Sequence, residues 1–350
     1  IQMTDYKNKL IIDLDNTLTQ DNSSNDYAKK LVNKHVALAI ENAISLGYES
    51  TIFSARNMRS FKGDLKKIET FTRPLAESWL NNNNIKYDEL ILGKPWCGFD
   101  GWYLDDKNIS IEEFLFKFSG PYWNQTVSIV IPFFNEEKNV IKTHLAHKKL
   151  ERLFNIVSYI YVDNGSNDST SDMLKLIADD EKVKVVSIKE NIGYGNGIKF
   201  GLFESSSDLV FLNHADLQFD PYTFIYTNLE TLASIKSPLD IFPQRLNRPS
   251  LQRINSFLLR LILSLIYLHK IPDFNGQPKL IHMSSIQNID HLPNNFCIDL
   301  NLYNLCKNNA ITLPVVQKDR KSGESSWNNN LAKRVKIFIE YVLYALKNRK

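Results

Sequence analysis

Cysteine is scarce: Cys97, Cys297 and Cys306 are the only three in 350 residues, an odd number without metal-ligand spacing. This argues against a disulfide framework and suits a reducing compartment with buried, inert thiols. An excess of one charge is also missing. The 42 Lys and Arg stand against 39 Asp and Glu, too even a balance to indicate nucleic acid as a partner. No apolar run reaches the roughly 20 residues of a membrane span. The longest, "FLLRLILSLIYL" from Phe257 to Leu268, is broken by Arg260 and cannot cross a bilayer unaided. Asp5, Lys7 and Lys9 stand where a signal peptide would place its apolar region, so the expectation is a cytoplasmic protein.

What is present is alternation. Strand-like runs ("KLIIDLD", "ESTIFSA", "DELILGK", "GWYLDD") interleave with helical ones ("YAKKLVNKHVALAIENAISLG", "PLAESWLNNN") through the first third of the chain. A breaker-rich connector, "SGPYWNQT" (Ser119 to Thr126), follows, and the alternation restarts with "VSIVIPF", "IVSYIYVDNG", "KVKVVSIKE" and "DLVFLNHAD". Such a pattern predicts an α/β protein of two doubly wound domains, 1–122 and 123–350, touching across a short connector. No internal repeat is visible.

In the first domain, "LIIDLDNTLT" runs an apolar strand into Asp13 and Asp15, which share a side at the strand end. Three further runs end at Ser54, Lys94, and Asp105 with Asp106, so a hydroxyl, an ammonium and four carboxylates are expected along one sheet edge. A solvated turn with an Asx cap is the bland alternative for the first motif. That set, in that order, resembles the haloacid dehalogenase superfamily of phosphohydrolases over residues 8 to 118. "SARNMRSFKGD" and "GKPWCGFDGWYLDD" look more narrowly like small phosphatases found with bacterial capsule and surface-polysaccharide genes. The resemblance implies a Rossmann-like fold, Asp13 as nucleophile forming an aspartyl phosphate, Asp15 as acid and base, and Thr17 in the same motif. It also implies Ser54 and Lys94 on the transferring phosphate, and Mg²⁺ on Asp13, Asp15, Asp105 and Asp106. Arg56 and Asn57 are expected to contact a sugar phosphate substrate. Short intervals between these motifs leave little room for a cap domain, so a homo-oligomer or the second domain is expected to cover the site.

The second domain opens with "VSIVIPFFNEEKNV" and "YIYVDNGSNDST", strands ending at acidic loops. "NIGYGNGIKFG" then places glycines, Gly193 and Gly195 among them, where backbone could approach a ligand closely. "LVFLNHADLQFDP" ends a strand with His214, Asp216 and Gln218, alternate residues able to reach one point. Together these resemble the family 2 glycosyltransferases of GT-A fold, most closely the dolichyl-phosphate mannose synthase-like branch, over about residues 125 to 328. The likeness implies that Asn135, Glu136 and Asp163 contact the nucleoside of a nucleotide sugar. It also implies that Asp216 holds a divalent metal, Mg²⁺ or Mn²⁺, against the donor diphosphate. Here the family's usual D-x-D is His214-Ala215-Asp216. His214 is read either as a nitrogen ligand favouring Mn²⁺ or as a histidine supporting the site from behind, with Gln218 beside the metal.

"DFNGQPKLI" (Asp273 to Ile281) and "DRKSGESSW" (Asp319 to Trp327) occupy the places where that family positions acceptor and donor phosphates. Arg245, Arg248 and Arg320 are candidate phosphate contacts, with Ser325 beside them, and Asp273 is the candidate base for a hydroxyl acceptor. A polyprenyl phosphate acceptor would need no base, and a glycan is the other acceptor class. In the last stretch, Leu331, Val335, Phe338, Val342 and Ala345 share a helix face among basic residues. That helix either contacts the inner face of the plasma membrane peripherally or packs on the core or a partner subunit. The expectation is a bifunctional phosphatase and glycosyltransferase of surface-polysaccharide or glycolipid assembly. The rivals are an active phosphatase with a silent sugar-nucleotide binder, or a membrane-docked scaffold.

Overall fold

The computed structural model describes residues 8–20, 24, 26–98, 100–103, 105, 107–248, 250–318 and 331–349. The chain divides into two compact units, Ile1–Trp123 and Asn124–Lys350.

In the first unit, strands β1 (Lys9–Ile12), β2 (Glu49–Ser54) and β3 (Glu89–Leu92) form a parallel sheet in that order. Ile12 stands opposite Ile52, and Ser54 opposite Leu92, so residues just beyond all three strands share one edge. Helices α1 (Lys34–Ser45), α2 (Leu65–Lys67), α3 (Arg73–Asn82) and α4 (Ile111–Ser119) accompany it. Val36, Ala39, Ile40 and Ala43 recur at helical spacing on α1 and bury its inner face. A capping box of Ser110 and Glu113 starts α4.

Two expectations fail here. The helix expected from Tyr27 is a short turn, Tyr27–Lys29, and α1 starts only at Lys34, capped by Asn33. Residues between them are held by other elements: Trp79 Nε1 donates to Lys30 O at 2.8 Å, and Val32 bridges Thr19. The fourth strand, "GWYLDD", does not form among the described residues. Gly101 packs against the Cys97 carbonyl, where a Cβ would clash, and the Tyr103 hydroxyl donates to Pro95 O, folding the segment back. Leu104 and Asp106 lie outside the described residues.

The second unit is built on a seven-stranded sheet in the order β10-β8-β9-β7-β4-β5-β6. Its strands are β4 (Thr126–Phe133), β5 (Asn155–Asn164), β6 (Val183–Ile188), β7 (Leu209–Leu212), β8 (Asp240–Leu246), β9 (Lys279–His282) and β10 (Ala310–Val316). Only β9 runs against its neighbours, so the sheet is mixed, and the carboxyl ends of six parallel strands face one side. Five successive buried residues, Val127 to Ile131, mark β4 as a strand covered on both faces. Around the sheet run α5 (Val140–Lys148), α6 (Thr170–Ile177), α7 (Tyr194–Phe203), α8 (Pro221–Tyr226), α9 (Leu229–Ala233), α10 (Ser250–Tyr267), α11 (Cys297–Cys306) and α12 (Leu331–Asn348). α7 sits tight on β4 because Gly201 lets its backbone close on Val130, where any Cβ would fall 2.2 Å from a methyl.

Cys297 and Cys306 are buried, and desolvation pushes the Cys297 thiol up to about 12, which suits inert core thiols. Cys97 is exposed, contrary to expectation, because its loop lies outside the sheet.

Candidate functional sites

In the first unit the sheet edge gathers four expected residues. Asp13 follows β1 directly, and the Lys94 ammonium donates to its Oδ1 at 2.9 Å. Burial pushes the Asp13 carboxyl above the usual carboxylate range, and Lys94 opposes that shift. Arg56, almost fully buried, grips Asp15 with a fork: Nε to Oδ2 at 3.1 Å and Nη2 to Oδ1 at 2.7 Å. Its Nη1 is buried without a hydrogen-bond partner, and its guanidinium lies 4.4 Å from the Tyr27 ring centre. Ser54 is buried and accepts from the Arg56 backbone N–H at 3.0 Å, which supports the loop. Thr17 is half-buried in the turn after Asp15.

Other expected residues go elsewhere. Asn57, with a left-handed φ of 62°, donates from Nδ2 to Thr72 Oγ1 at 2.9 Å, so it braces a turn instead of reaching outward. Asp105 accepts from the Lys107 N–H in an exposed loop. Among the described residues, no three of His, Cys, Asp and Glu gather closely enough to hold a metal. The acids Asp13 and Asp15 are balanced by Lys94 and Arg56 instead, and Asp106 lies outside the described residues.

The second unit places its polar residues at the carboxyl edge of the large sheet. Asp163, next to last in β5, accepts from the Ser166 N–H at 3.0 Å. Asn135, at φ 55°, accepts from the Asn167 N–H at 2.9 Å, and the Glu136 N–H donates to Thr170 Oγ1 at 2.9 Å. These bonds join the loops after β4 and β5 into one rim. Asn135 and Glu136 thus carry a stitching role that sequence reasoning missed. Gly193 and Gly195 admit the chain's own backbone: a Cβ on either would lie 2.3 Å from a carbonyl oxygen, of Asn294 or of Pro293. Close approach was anticipated, but of a ligand.

Beyond β7, Ala215 O accepts from Thr143 Oγ1 at 2.9 Å, and Asn213 Nδ2 bonds His147 Nε2 at 2.9 Å, so α5 fixes this strand end from behind. His147 Nδ1 donates to Thr143 O at 2.7 Å, which leaves Nε2 as the acceptor. His214 Nε2 meets the Tyr194 hydroxyl at 3.0 Å. Turned to satisfy all its neighbours, the Gln277 amide accepts from Tyr194 (3.0 Å) and Lys279 (2.9 Å) and donates to Leu212 O (3.0 Å). Tyr194 has one proton and gives it to Gln277. His214 must then donate from Nε2, leaving the lone pair on Nδ1. Burial lowers the His214 pKa, against the opposing charge of Asp216, so the ring is neutral. Behind it, the fully buried Lys279 ammonium donates to Asp299 at 2.7 Å and to Gly276 O at 2.7 Å.

Asp216 uses Oδ1 to accept from the Gln218 N–H at 3.1 Å, and Oδ2 has no hydrogen bond among the described residues. The Gln218 side chain is turned to Lys318, donating from Nε2 to Lys318 O at 3.5 Å, and the Lys318 N–H donates back to the Gln218 backbone O at 2.8 Å. Asp216 Oδ2 and His214 Nδ1 are donor types that a divalent cation takes, with its remaining ligands coming from a bound diphosphate. The nitrogen donor suits Mn²⁺ better than Mg²⁺.

At the end of β8 a cavity of about 750 Å³ is lined by Arg245, Arg248, Arg253 and Arg260, with Asp273 the one carboxylate. Arg245 and Asp273 form a bidentate pair, Nη2 to Oδ1 at 2.6 Å and Nε to Oδ2 at 2.8 Å, and the Arg245 N–H adds a third bond at 3.1 Å. Burial alone would raise Asp273, but Arg245, helped by Arg248, holds it below the usual carboxylate range. A carboxylate so engaged is a poor proton acceptor, and the expected base is instead the strut that aims Arg245. Desolvation, with Arg245 nearby, brings Arg248 down to about 10, still cationic at neutral pH. Arg253 and Arg260 were missed, although their seven-residue spacing puts both on one helix face. Arg320 and Ser325 lie outside the described residues.

The family described as Glycosyl transferase family 2 matches residues 128–282. That segment is a family 2 glycosyltransferase domain. A curated relative from Pseudomonas paraeruginosa, undecaprenyl-phosphate 4-deoxy-4-formamido-L-arabinose transferase, is 37% identical over 107 residues, 29% of this chain and 31% of the relative. The counterpart from Yersinia pestis is 36% identical over 101 residues, 27% and 30% of the two chains. The chain thus spans about a third of the length of these curated relatives. Among solved structures, glucosyl-3-phosphoglycerate synthase from Mycobacterium tuberculosis, in complex with Mn²⁺, UDP and glucosyl-3-phosphoglycerate, is similar with a TM-score of 0.50. It is 16% identical, covering 70% of this chain and 85% of that one. This likeness shows a GT-A-like α/β fold. A crystallised Vibrio cholerae protein is 44% identical over 31% of this chain and 87% of its own, with a TM-score of 0.30.

Proposed function

We propose that the family 2 domain transfers a glycosyl group from a nucleotide sugar to the phosphate of a polyprenyl phosphate. The observation that carries this reading is the arginine cavity, where Asp273, the only acid among the described lining residues, is paired with Arg245 and aims it. Such a cavity suits a phosphate dianion, and its one carboxylate among the described residues is held by Arg245. An oxygen of the acceptor phosphate attacks the anomeric carbon, the bond to the diphosphate breaks, and the nucleoside diphosphate leaves with its electron pair. The nucleophile is already ionised, so no proton needs removing. Asp216 and His214 Nδ1 would hold a divalent cation, which supplies positive charge against the leaving diphosphate. The rim at Asp163 and Asn135 would receive the nucleoside, and the names of the curated relatives fit the acceptor class. Incubating the full chain with labelled nucleotide sugars, Mn²⁺ and a short polyprenyl phosphate tests this. Transfer should occur and vanish in Asp216→Ala; transfer that persists in that variant overturns it.

For the first unit we propose phosphohydrolysis of a sugar phosphate, with Asp13 as nucleophile, Lys94 holding the transferring group and Asp15 exchanging the proton. Its support is the Asp13–Lys94 and Asp15–Arg56 pairing at one strand edge. Joined in one chain, the two activities would serve bacterial surface-glycan or glycolipid assembly. Phosphate release from an aryl phosphate, abolished in Asp13→Asn, tests the hydrolase; release unchanged in that variant removes it.

A further inference from the structure

The short turn Tyr27–Lys29, formed where a helix was expected, brings to the first unit's strand edge two residues that sequence reasoning missed. The Tyr27 ring lies over the Arg56 guanidinium at 4.4 Å, and the Lys30 ammonium stands 5.7 Å from the same ring. Both cations face Asp15. Arg56 takes both carboxylate oxygens, whereas Lys30 Nζ stops 4.0 Å from Oδ1, beyond hydrogen-bond reach. Lys30 is fixed from behind, because the buried Trp79 ring donates to its carbonyl oxygen.

Three donor groups meet here without acceptors. Arg56 Nη1 is fully enclosed and makes no hydrogen bond. The Lys30 ammonium, on a side chain only 13% exposed, and the Tyr27 hydroxyl make none among the described residues. Burial, with the Asp15 charge beside it, pushes the Tyr27 phenol above its usual range, so it keeps its proton and can donate. An enclosed guanidinium nitrogen left unpaired is costly, and such a group marks a place where a ligand or water belongs. Charge narrows the ligand. Arg56 and Lys30 carry two positive charges against the single negative charge of Asp15, so one monovalent anion would balance the cluster. A carboxylate supplies that charge together with two acceptor oxygens, whereas a phosphate dianion would leave an excess of negative charge in a half-buried place.

We propose that Lys30, Tyr27 and Arg56 Nη1 form a carboxylate subsite, so that the first unit selects a sugar phosphate that also carries a carboxylate. Arg56 then serves two groups: its fork belongs to Asp15, and its spare nitrogen to the substrate's acid. The half-buried Tyr27 ring, lying over the guanidinium, is the wall that the ligand displaces. The choice of substrate rests on the phosphohydrolase reading, in which the transferring phosphate sits at Asp13 and Lys94; the subsite itself is read by binding.

Titration calorimetry of the full chain carrying Asp13→Asn, with Mg²⁺ present, compares ligands in pairs that differ in a carboxylate. Glucuronic acid 1-phosphate is set against glucose 1-phosphate, phosphogluconate against glucitol 6-phosphate, and phosphoglycerate against glycerol phosphate. At least one acid should bind at least about tenfold more tightly than its neutral partner, the range of a charge-assisted hydrogen bond. Lys30→Met, added to the same chain, should remove most of that preference. Tyr27→Phe, which keeps the ring over Arg56, should lower it in the same direction, which guards against a folding defect in the first variant. Equal affinities within every pair, or a preference that survives Lys30→Met, overturn the proposal. So does glucose 1,6-bisphosphate binding more tightly than every acid, which would assign the subsite to a second phosphate. Hydrolysis by the wild type reads the other claim separately: tight binding of an acid that is never hydrolysed would leave the subsite standing and remove the phosphohydrolase, whereas hydrolysis with equal kcat/KM within every pair would do the reverse.

Discussion

Replacing Asp273 by Asn separates a strut from a base. The Asp273 side chain is 9% exposed and that of Arg245 11%, and three hydrogen bonds connect the residues. Asparagine keeps one acceptor oxygen, so at least one charge-assisted bond is lost and an amide N–H₂ faces a guanidinium. Arg245 is then left buried and uncompensated beside Arg248. Breaking a buried pair in this way costs about 3–5 kcal/mol. For a unit of this size, each kcal/mol moves the midpoint by roughly 2–4 °C, so calorimetry of the full chain should show the second unit melting about 6–20 °C lower. With Arg245 no longer aimed, KM for the acceptor should rise at least about tenfold while kcat changes less. A collapse of kcat with KM and melting temperature unchanged would mean that Asp273 takes a proton in the reaction, and the strut argument would fail.

Tyr194→Phe keeps the ring stacked on Phe296 but frees His214 Nε2; Mn²⁺ binding, followed by electron paramagnetic resonance with UDP present, should weaken relative to Mg²⁺, and an unchanged ratio refutes the tautomer assignment. Burial holds fully buried His147 at about 4, against 6.5 for an exposed ring. Between these values the unfolded chain binds the extra proton, so stability should fall by up to about 3 kcal/mol as pH drops from 6.5 to 4. Denaturant titrations on wild type and His147→Gln should show the variant's slope reduced in that window, and equal slopes would contradict this. Gly193→Ala would push a Cβ into Asn294 O at a backbone φ of 137°. It should lower the melting temperature without altering metal affinity measured per folded molecule; a stable variant with lost donor binding would restore the ligand-approach reading.

The strand ends were legible because apolar runs stopping at Asp13, Ser54, Lys94, Asp163 and His214 express a local rule: parallel strands are buried, and polar side chains begin where they stop. Partners distant in sequence were not legible. Nothing near Asp273 reveals that Arg245 takes both its oxygens, and nothing near Gly193 shows that residues 293–295 fill the space above it. The helix expected from Tyr27 failed because Trp79 and Thr19 hold the intervening residues, and "GWYLDD" failed as a strand because Gly101 closes on Cys97. On α10 and α12, apolar residues on opposite sides gave no sign of which face is covered; packing decided that, burying Leu263 and Ala345 and leaving Leu265 and Val335 exposed.

On the proposed reading the acceptor nucleophile is a phosphate oxygen held by Arg245 and Arg248. Phosphorus NMR of the reaction with a polyprenyl phosphate reads this directly. The acceptor monoester signal should convert to a phosphodiester, at a rate that falls steeply in Arg248→Ala. A monoester that persists while the sugar appears on a hydroxyl, or free in solution, would contradict the account.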